Sequence, residues 1–250
     1  MAETYDARLR ISGAGTPVVF VPGINGTGDL FYRQLPRLEP SYRVATYAFR
    51  NDAQSHDALA DDLAAIIDAV APADGRALLI AESFGGTVAL TCALRHPGKV
   101  RALLIVNSFC CFASKARLRL SIAGMSVVPW KALPFFRRLS GSRMHSPSTL
   151  KEDVDRQIAL TLGTTREAYL NRLRLLMTFD VRDRLGEIRQ PALFLASEHD
   201  HVVPSVEQAR YMASRVPASE MRLLENHGHA CLIAPDLDLA AILRDWRALR

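Results

Sequence analysis

The chain has 250 residues, of which 49% are hydrophobic and 23% are charged, and its formal net charge is +5. This composition is ordinary for a globular protein with a large core, and the length indicates one domain, or one domain with an insertion. The start, MAETYDARLR, lacks the basic and apolar regions of a signal peptide, and no apolar run approaches the ~20 residues that cross a bilayer. We therefore expect a soluble, cytoplasmic protein, with peripheral membrane contact left open.

Strand and helix patterns alternate along most of the chain. Strands are predicted at 18–21, 43–48, 77–81, 103–106, 192–196 and 220–224, with a short one available within 5–12. Helices are predicted at 56–70, 85–95, 205–215 and 235–249. Strands that alternate with helices indicate a mostly parallel sheet that is covered on both faces.

The alternation stops between residues 106 and 192, where no convincing strand occurs. Helical patterns cover 117–128, 150–162 and 166–178, and prolines separate them. A structureless loop of this length would be improbable in a compact domain. We therefore predict a helical insertion that caps the sheet.

Charge and cysteine content limit the classes of partner. No Asp or Glu occurs from Ser83 to Lys151, whereas eleven Lys or Arg do: Arg95, Lys99, Arg101, Lys115, Arg117, Arg119, Lys131, Arg137, Arg138, Arg143 and Lys151. This bias indicates either an anionic ligand or a solvated basic face.

The four cysteines lack ligand spacing and lie mostly among apolar residues, which favours reduced core thiols and no metal site.

The segment LLIAESFGG, residues 78–86, places a serine where a buried strand turns into a helix. Ala81 lies two residues before Ser83 and Gly85 lies two residues after it, which is the spacing of the G-x-S-x-G nucleophile elbow with Ala in place of the first Gly. Gly86 lets the helix pack closely on the sheet. We interpret Ser83 as a nucleophile, with a simple helix N-cap as the alternative. Glu82 is interpreted as structural.

A serine nucleophile needs a histidine base that a carboxylate orients. In hydrolases with this elbow the acid and then the histidine follow the serine along the chain. Both Glu198 and Asp200 follow the predicted strand 192–196; Asp200 is the preferred acid, because it lies just before the VVP that leads into the next helix, and Glu198 is the alternative. His229 is the preferred base, and His227 in the same NHGH segment is the alternative.

The glycine-rich turn PGINGTG, residues 22–28, fits the second half of an oxyanion site. In these enzymes one N–H comes from the residue after the nucleophile and one from such a turn. Phe84 and Ile24 would supply them here. A phosphate-binding loop is the rival interpretation, but neither GK[ST] nor GxGxxG is present.

Together, PGINGTG, AESFGG, LASEHD and NHGHACLIAP resemble the motifs of the α/β-hydrolase superfamily, in the expected order. The resemblance implies an α/β fold with a mostly parallel central sheet of about eight strands flanked by helices. It also implies a helical cap inserted after the sixth strand, with the core formed by 1–108 and 181–250 and the cap by 109–180. No cofactor is implied. The PG turn is similar to that of some thioesterases and lipid acyltransferases.

The expected activity is hydrolysis of a carboxylic ester or thioester through an acyl-enzyme. Apolar residues and the basic bias in the cap suggest an apolar acyl chain with an anionic head, as in acyl-CoA or a lysophospholipid. Candidate substrate contacts are Asn25, Trp130, Phe135, Arg137 and Arg138. Acyl transfer with the same triad, non-catalytic binding on a hydrolase scaffold and attachment to a membrane surface remain alternatives, whereas nucleic-acid binding has little support.

Overall fold

The structure is a computed structural model that describes residues 8–71, 73, 75–112, 114–130, 144–161 and 163–249. In these residues, seven strands form one sheet with the order β1-β3-β2-β4-β5-β6-β7. They are β1 (Arg10–Ser12), β2 (Thr16–Val21), β3 (Tyr42–Thr46), β4 (Ala77–Glu82), β5 (Val100–Val106), β6 (Ala192–His199) and β7 (Ser219–Gly228). All neighbouring pairs are parallel except β1 and β3 at the edge. The predicted mostly parallel sheet is confirmed.

The helices lie between the strands, as the alternating pattern predicts. They are α1 (Leu35–Leu38), α2 (His56–Val70), α3 (Phe84–Arg95), α4 (Lys115–Val127), α5 (Lys151–Thr161), α6 (Arg166–Leu175), α7 (Ser205–Ala213) and α8 (Leu239–Asp245). The last predicted helix is shorter than expected, because the backbone leaves α-helical geometry at Trp246 before a short 3₁₀ turn. No helix of the described ranges combines the length and the apolar character needed to cross a membrane.

The sheet separates two apolar layers. Alternate side chains of β4 point to opposite faces, so that Leu79 and Ala81 pack under α2 and α3, whereas Leu78 and Ile80 pack with Phe31 and the α8 region. Every residue of β4 is buried. This burial on both faces explains the continuous apolar run that precedes Ser83.

The number of strands is smaller than the resemblance implies. The described residues contain seven strands instead of about eight, and from residue 8 to residue 15 the only strand is β1, with three residues. The helical insertion therefore follows the fifth described strand, β5. We call residues 107–191 the β5–β6 connection; it contains α4, α5 and α6. An isolated antiparallel bridge joins Cys111 to Asp180 near its two ends.

Gly85 has no room for a side chain. A Cβ atom there would lie 2.3 Å from the Val21 carbonyl oxygen and 2.5 Å from that of Pro22. We expect Gly85→Ala to lower the free energy of unfolding by about 1–3 kcal/mol, because backbone atoms cannot yield as a flexible side chain can. Urea denaturation measures this change. Gly98→Ala is the control, since nothing lies within 4 Å of its Cβ position; equal effects of the two substitutions would contradict the steric explanation.

Candidate active site

Ser83 lies in a sharp turn between β4 and α3. Its backbone has φ +52° and ψ −119°, a strained conformation for a residue with a side chain. Two hydrogen bonds hold the turn: the Ser83 N–H donates to the Val106 carbonyl (3.0 Å), and the Ser108 hydroxyl donates to the Ser83 carbonyl (2.6 Å). Ala81 fits the place of the usual glycine and is fully buried. The turn thus presents the Ser83 hydroxyl at the carboxyl end of the sheet.

The structure brings Ser83, His229 and Asp200 into one hydrogen-bonded row. His229 Nδ1 is 2.7 Å from Asp200 Oδ2, and His229 Nε2 is 3.1 Å from Ser83 Oγ. An ionised carboxylate only accepts hydrogen bonds, so Nδ1 carries the imidazole proton and Nε2 accepts the hydrogen bond from the serine hydroxyl. This tautomer leaves Nε2 free to remove the serine proton.

Asp200 is held by donors on both oxygens. The backbone N–H groups of Val202 (2.8 Å) and Val203 (3.0 Å) donate to Oδ1, and the Ser205 hydroxyl donates to Oδ2. Burial would raise the pKa of Asp200, but the charge and hydrogen bond of His229 and these donors outweigh burial and hold that pKa below its usual range. Burial would likewise lower the pKa of His229, but the charge and hydrogen bond of Asp200 raise it above its ordinary value.

The two alternatives from the sequence lie elsewhere. The Glu198 carboxylate accepts a hydrogen bond from the Asn226 N–H at 3.0 Å, and its side chain is exposed. The His227 Nδ1 atom donates to the Glu225 carbonyl, and its other ring nitrogen faces Asp236. Both side chains therefore point away from Ser83.

Asn107 joins the loops that carry the acid and the histidine. It directly follows β5, is fully buried and has φ +49°. Its side-chain amide donates to the His229 carbonyl (2.8 Å) and to the Ser197 hydroxyl (2.9 Å), and its side-chain oxygen accepts the Ser197 N–H (2.8 Å). The sequence contains no signal that singled out this residue, since its role depends on segments that are distant along the chain.

The backbone N–H groups of Ile24 and Phe84 are the predicted oxyanion donors. Phe84 begins α3, and the first N–H groups of a helix have no partner within it. Ile24 lies in the glycine-rich turn, and within the described ranges its N–H has no acceptor. Both residues line the same cavity as Ser83 and His229. The arrangement can stabilise a negative oxygen that develops on a carbonyl group attacked by Ser83.

A cavity of about 500 Å³ opens over Ser83 and His229. Its wall combines the turn after β2 with the β5–β6 connection; besides Ser83 and His229 it includes Asn25, Phe109, Phe112, Leu118, Met125, Tyr169, Leu173 and Leu176. The Asn25 amide is turned toward the Thr161 hydroxyl, to which it donates at 3.2 Å. Apolar side chains thus make up most of the wall of the cavity.

Of the other predicted substrate contacts, Trp130 lies within the described residues, and it does not line this cavity. Trp130 packs on Tyr169, with ring centroids 5.7 Å apart, and lines a separate groove beside Gly163 and Arg166. Ring packing against α6 thus accounts for Trp130 without a substrate. Phe135, Arg137 and Arg138 lie outside the described residues.

Two charged residues in the wall were not predicted as contacts. Glu82 is 7% exposed and lies next to Gly23, and burial raises its pKa. Arg117, on α4, lines the cavity and also the groove beside the Asp200 loop. Arg117 belongs to the acid-free window of the sequence, but only the fold shows that it reaches the cavity.

The cysteines are free thiols. Cys92, Cys110 and Cys231 are buried, Cys111 is half-buried, and none forms a disulfide. This agrees with the predicted reduced core thiols. In the part of the chain that the structure describes, no group of three His, Cys, Asp or Glu side chains is arranged to hold a metal ion.

A family model and several relatives match most of this chain. The model of the alpha/beta hydrolase family matches residues 18–242. A protein of Cronobacter turicensis named "Putative carbamate hydrolase RutD" is 30% identical, over 90% of this chain and 89% of that protein. A protein of the same name from Azorhizobium caulinodans is 27% identical, over 93% and 91% of the two chains.

Solved structures show the same fold. An esterase from Exiguobacterium antarcticum superposes with a TM-score of 0.84 at 19% identity, over 95% of this chain and 94% of that chain. The enol-lactonase from Burkholderia xenovorans gives a TM-score of 0.82 at 18% identity, over 95% and 94% of the chains. At these identities the likeness concerns the fold alone.

Proposed function

The chain belongs to the α/β hydrolase family, and from this premise we propose that it is a serine hydrolase that cleaves a carboxylic ester or thioester through an acyl-enzyme. The observation that supports the proposal most directly is the row of hydrogen bonds from Ser83 through His229 to Asp200. Three side chains from three separate loops meet there with the tautomer that general-base catalysis needs.

In the proposed mechanism, Ser83 Oγ attacks the substrate carbonyl while His229 Nε2 takes the hydroxyl proton. Asp200 stabilises the imidazolium that forms, and the N–H groups of Ile24 and Phe84 bind the oxyanion. The tetrahedral intermediate then expels the alcohol or thiol, to which His229 delivers the proton. Water then attacks the acyl-enzyme carbonyl while His229 Nε2 takes a proton from it. The second tetrahedral intermediate expels the Ser83 oxygen, to which His229 delivers the proton, and the carboxylic acid is released.

We further propose that residues 109–180 form the cap and that 1–108 and 181–250 form the core. The apolar wall that α4 and α6 contribute supports an acyl chain as the group that enters the cavity. Arg117 supports an anionic substituent on the substrate, because its guanidinium makes no ion pair within the described ranges. Acyl thioesters with an anionic carrier and acyl lipids with an anionic head have both features.

Arg117→Gln is expected to lower kcat/KM about 3- to 10-fold for an ester with a terminal carboxylate, and to leave a neutral ester of the same length within about twofold. The physical reason is loss of a charge-assisted hydrogen bond at a partly solvated site. Steady-state kinetics on the matched pair of esters measures the ratio. Arg119→Gln is the control, since Arg119 is exposed on the same helix and lies outside the wall of the cavity. A uniform loss on both esters would refute the charge-recognition proposal.

Carbamate hydrolysis is the second candidate, because the name of two relatives refers to a carbamate. The same nucleophile, base and oxyanion site would attack a carbamate carbonyl. A panel of esters, thioesters and carbamates with one common acyl length separates the candidates by kcat/KM. Turnover of carbamates at least tenfold above that of the matched esters would reverse the order of the two proposals.

A further inference from the structure

Arg172 lies behind the glycine-rich turn and is 2% exposed. It comes from α6 in the β5–β6 connection, 148 positions from Ile24 along the chain. Its Nη1 atom donates to the carbonyl oxygens of Ile24 and Asn25, each at 3.1 Å. Its Nη2 atom donates to the Asn51 side-chain oxygen, also at 3.1 Å. A single guanidinium thus fixes two successive peptide groups of the turn.

The turn is shaped around this guanidinium. Gly26 has φ +71°, and a Cβ atom there would lie 2.3 Å from Arg172 Cζ. The Gly26 N–H donates to the Gly23 carbonyl at 2.8 Å, and the Phe49 N–H donates to the Gly26 carbonyl at 2.9 Å. Gly26 is therefore required both by its backbone conformation and by the space that Arg172 occupies.

These bonds orient the candidate oxyanion donor. The Gly23 carbonyl and the Ile24 N–H belong to one planar trans peptide group and point in opposite directions. When the Gly26 N–H holds the Gly23 carbonyl inside the turn, the Ile24 N–H faces outward. Arg172 fixes the next two peptide groups, so the turn cannot rotate without breaking its hydrogen bonds.

A second side chain from the same connection supports this anchoring. The Thr164 hydroxyl donates to the Asn25 carbonyl, so that this oxygen accepts from both Thr164 and Arg172. Both donors precede or belong to α6. The oxyanion turn is therefore held by the inserted helical segment as well as by the core.

We propose that Arg172 is a positioning residue for catalysis: it holds the Ile24 N–H in the oxyanion site and makes that site complete only when α6 is docked on the turn. The inference rests on the proposed function, since it assigns Ile24 to an oxyanion site. Arg172 itself acts through the turn and not on the substrate. Its loss should affect the transition state more than substrate binding, because the oxyanion exists only after attack.

The test compares Arg172→Gln with Arg172→Lys on an ester that the wild type hydrolyses. We expect Arg172→Gln to lower kcat by about 10²-fold with KM within about threefold, because small displacements of a catalytic donor cost about this much. Arg172→Lys keeps the charge but cannot reach both carbonyls in the same geometry, so we expect partial recovery of kcat. Thermal unfolding shows that each variant is folded at the assay temperature.

Arg166→Gln is the matched control. Arg166 lies on the same helix, but it donates to the Ser126 and Val128 carbonyls within the connection and does not touch the turn. We expect a wild-type kcat for this variant. An equal loss of kcat in Arg166→Gln would show that loosening of α6 in general is responsible, and would overturn the proposal.

Thr164→Val keeps the test decisive if Arg172→Gln does not fold. It removes one donor to the Asn25 carbonyl and should lower kcat about 3- to 10-fold, as expected for one hydrogen bond; an unchanged kcat would overturn the proposal. Labelling of Ser83 by a fluorophosphonate distinguishes failure of the proposed hydrolase function from failure of the proposed role of Arg172. A wild type that is neither labelled nor active refutes the proposed function, whereas a labelled, active wild type with fully active Arg172 variants refutes this inference alone.

Discussion

Replacement of Ser83 by alanine is expected to lower kcat on an ester substrate by about 10⁴- to 10⁶-fold. The substitution removes the atom that would form the proposed acyl-enzyme, while the cavity, the proposed oxyanion donors and His229 remain in place. A fluorophosphonate should add one phosphonyl group to the wild type, with loss of fluoride, and none to Ser83→Ala. Intact-mass measurement and steady-state kinetics check both expectations.

Ser126→Ala is the control for the Ser83 experiment. Ser126 is an exposed serine of α4 whose hydroxyl donates to the Ile122 carbonyl, outside the cavity. It should be labelled and should turn over substrate as the wild type does. Full labelling of Ser83→Ala would place the reactive nucleophile elsewhere and would remove the basis of the serine-hydrolase proposal.

Asp200→Asn should lower kcat by about 10⁴-fold at neutral pH. The asparagine cannot stabilise the imidazolium, and its amide group can donate to Nδ1 and so favour the wrong imidazole tautomer. Glu198→Gln is the control, because that carboxylate points away from His229, and its kcat should stay within about twofold of wild type. Steady-state kinetics of both variants at one pH measures the difference; similar losses would contradict the assignment of Asp200.

The same substitution should change the pH dependence. His229 must be neutral to accept the serine proton. We therefore expect kcat/KM to be at its plateau above the pKa of His229 and to fall as the pH decreases through that pKa. Because Asp200 raises the pKa of His229, the acid limb of the wild type should lie above the ordinary histidine value of about 6.5. Asp200→Asn removes that charge, and its residual activity should lose its acid limb at a lower pH. If the acid limb of Asp200→Asn lies at the same pH as that of the wild type, a group other than His229 is responsible for it.

The local sequence predicted the elements with good accuracy. Helix α2 occupies its predicted residues, 56–70, because its apolar positions recur at helical spacing and Ser55 caps its start. The elbow at Ser83 was also predictable, since a buried strand, a serine and small residues at fixed spacing are all adjacent in the chain. The prediction of Phe84 as an oxyanion donor follows from the elbow, whereas that of Ile24 follows from the separate glycine-rich turn at 22–28.

Interactions between distant segments were not predictable in this way. Trp130 and Arg117 come from one apolar and basic stretch, yet Trp130 packs on Tyr169 and Arg117 lines the cavity. Glu198 lies near the end of β6 and Asp200 directly follows that strand, and only the path of the chain at this point directs Asp200 toward His229. Composition and periodicity describe which face of an element is apolar, but not which neighbour covers it.

A mostly parallel α/β sheet, a helical segment between two of its strands, and a serine, an acid and a histidine in the order of a hydrolase can all be predicted from the residues alone. Each of these depends on residues that are close in the chain or on the order of motifs. The folded chain is needed to show that His229 contacts Ser83 and Asp200, and that Asn107 and Arg172 hold the neighbouring loops. Hydrogen bonds such as that from Arg172 to Ile24 join residues far apart in the chain, and their partners are fixed only when the helices pack on the sheet.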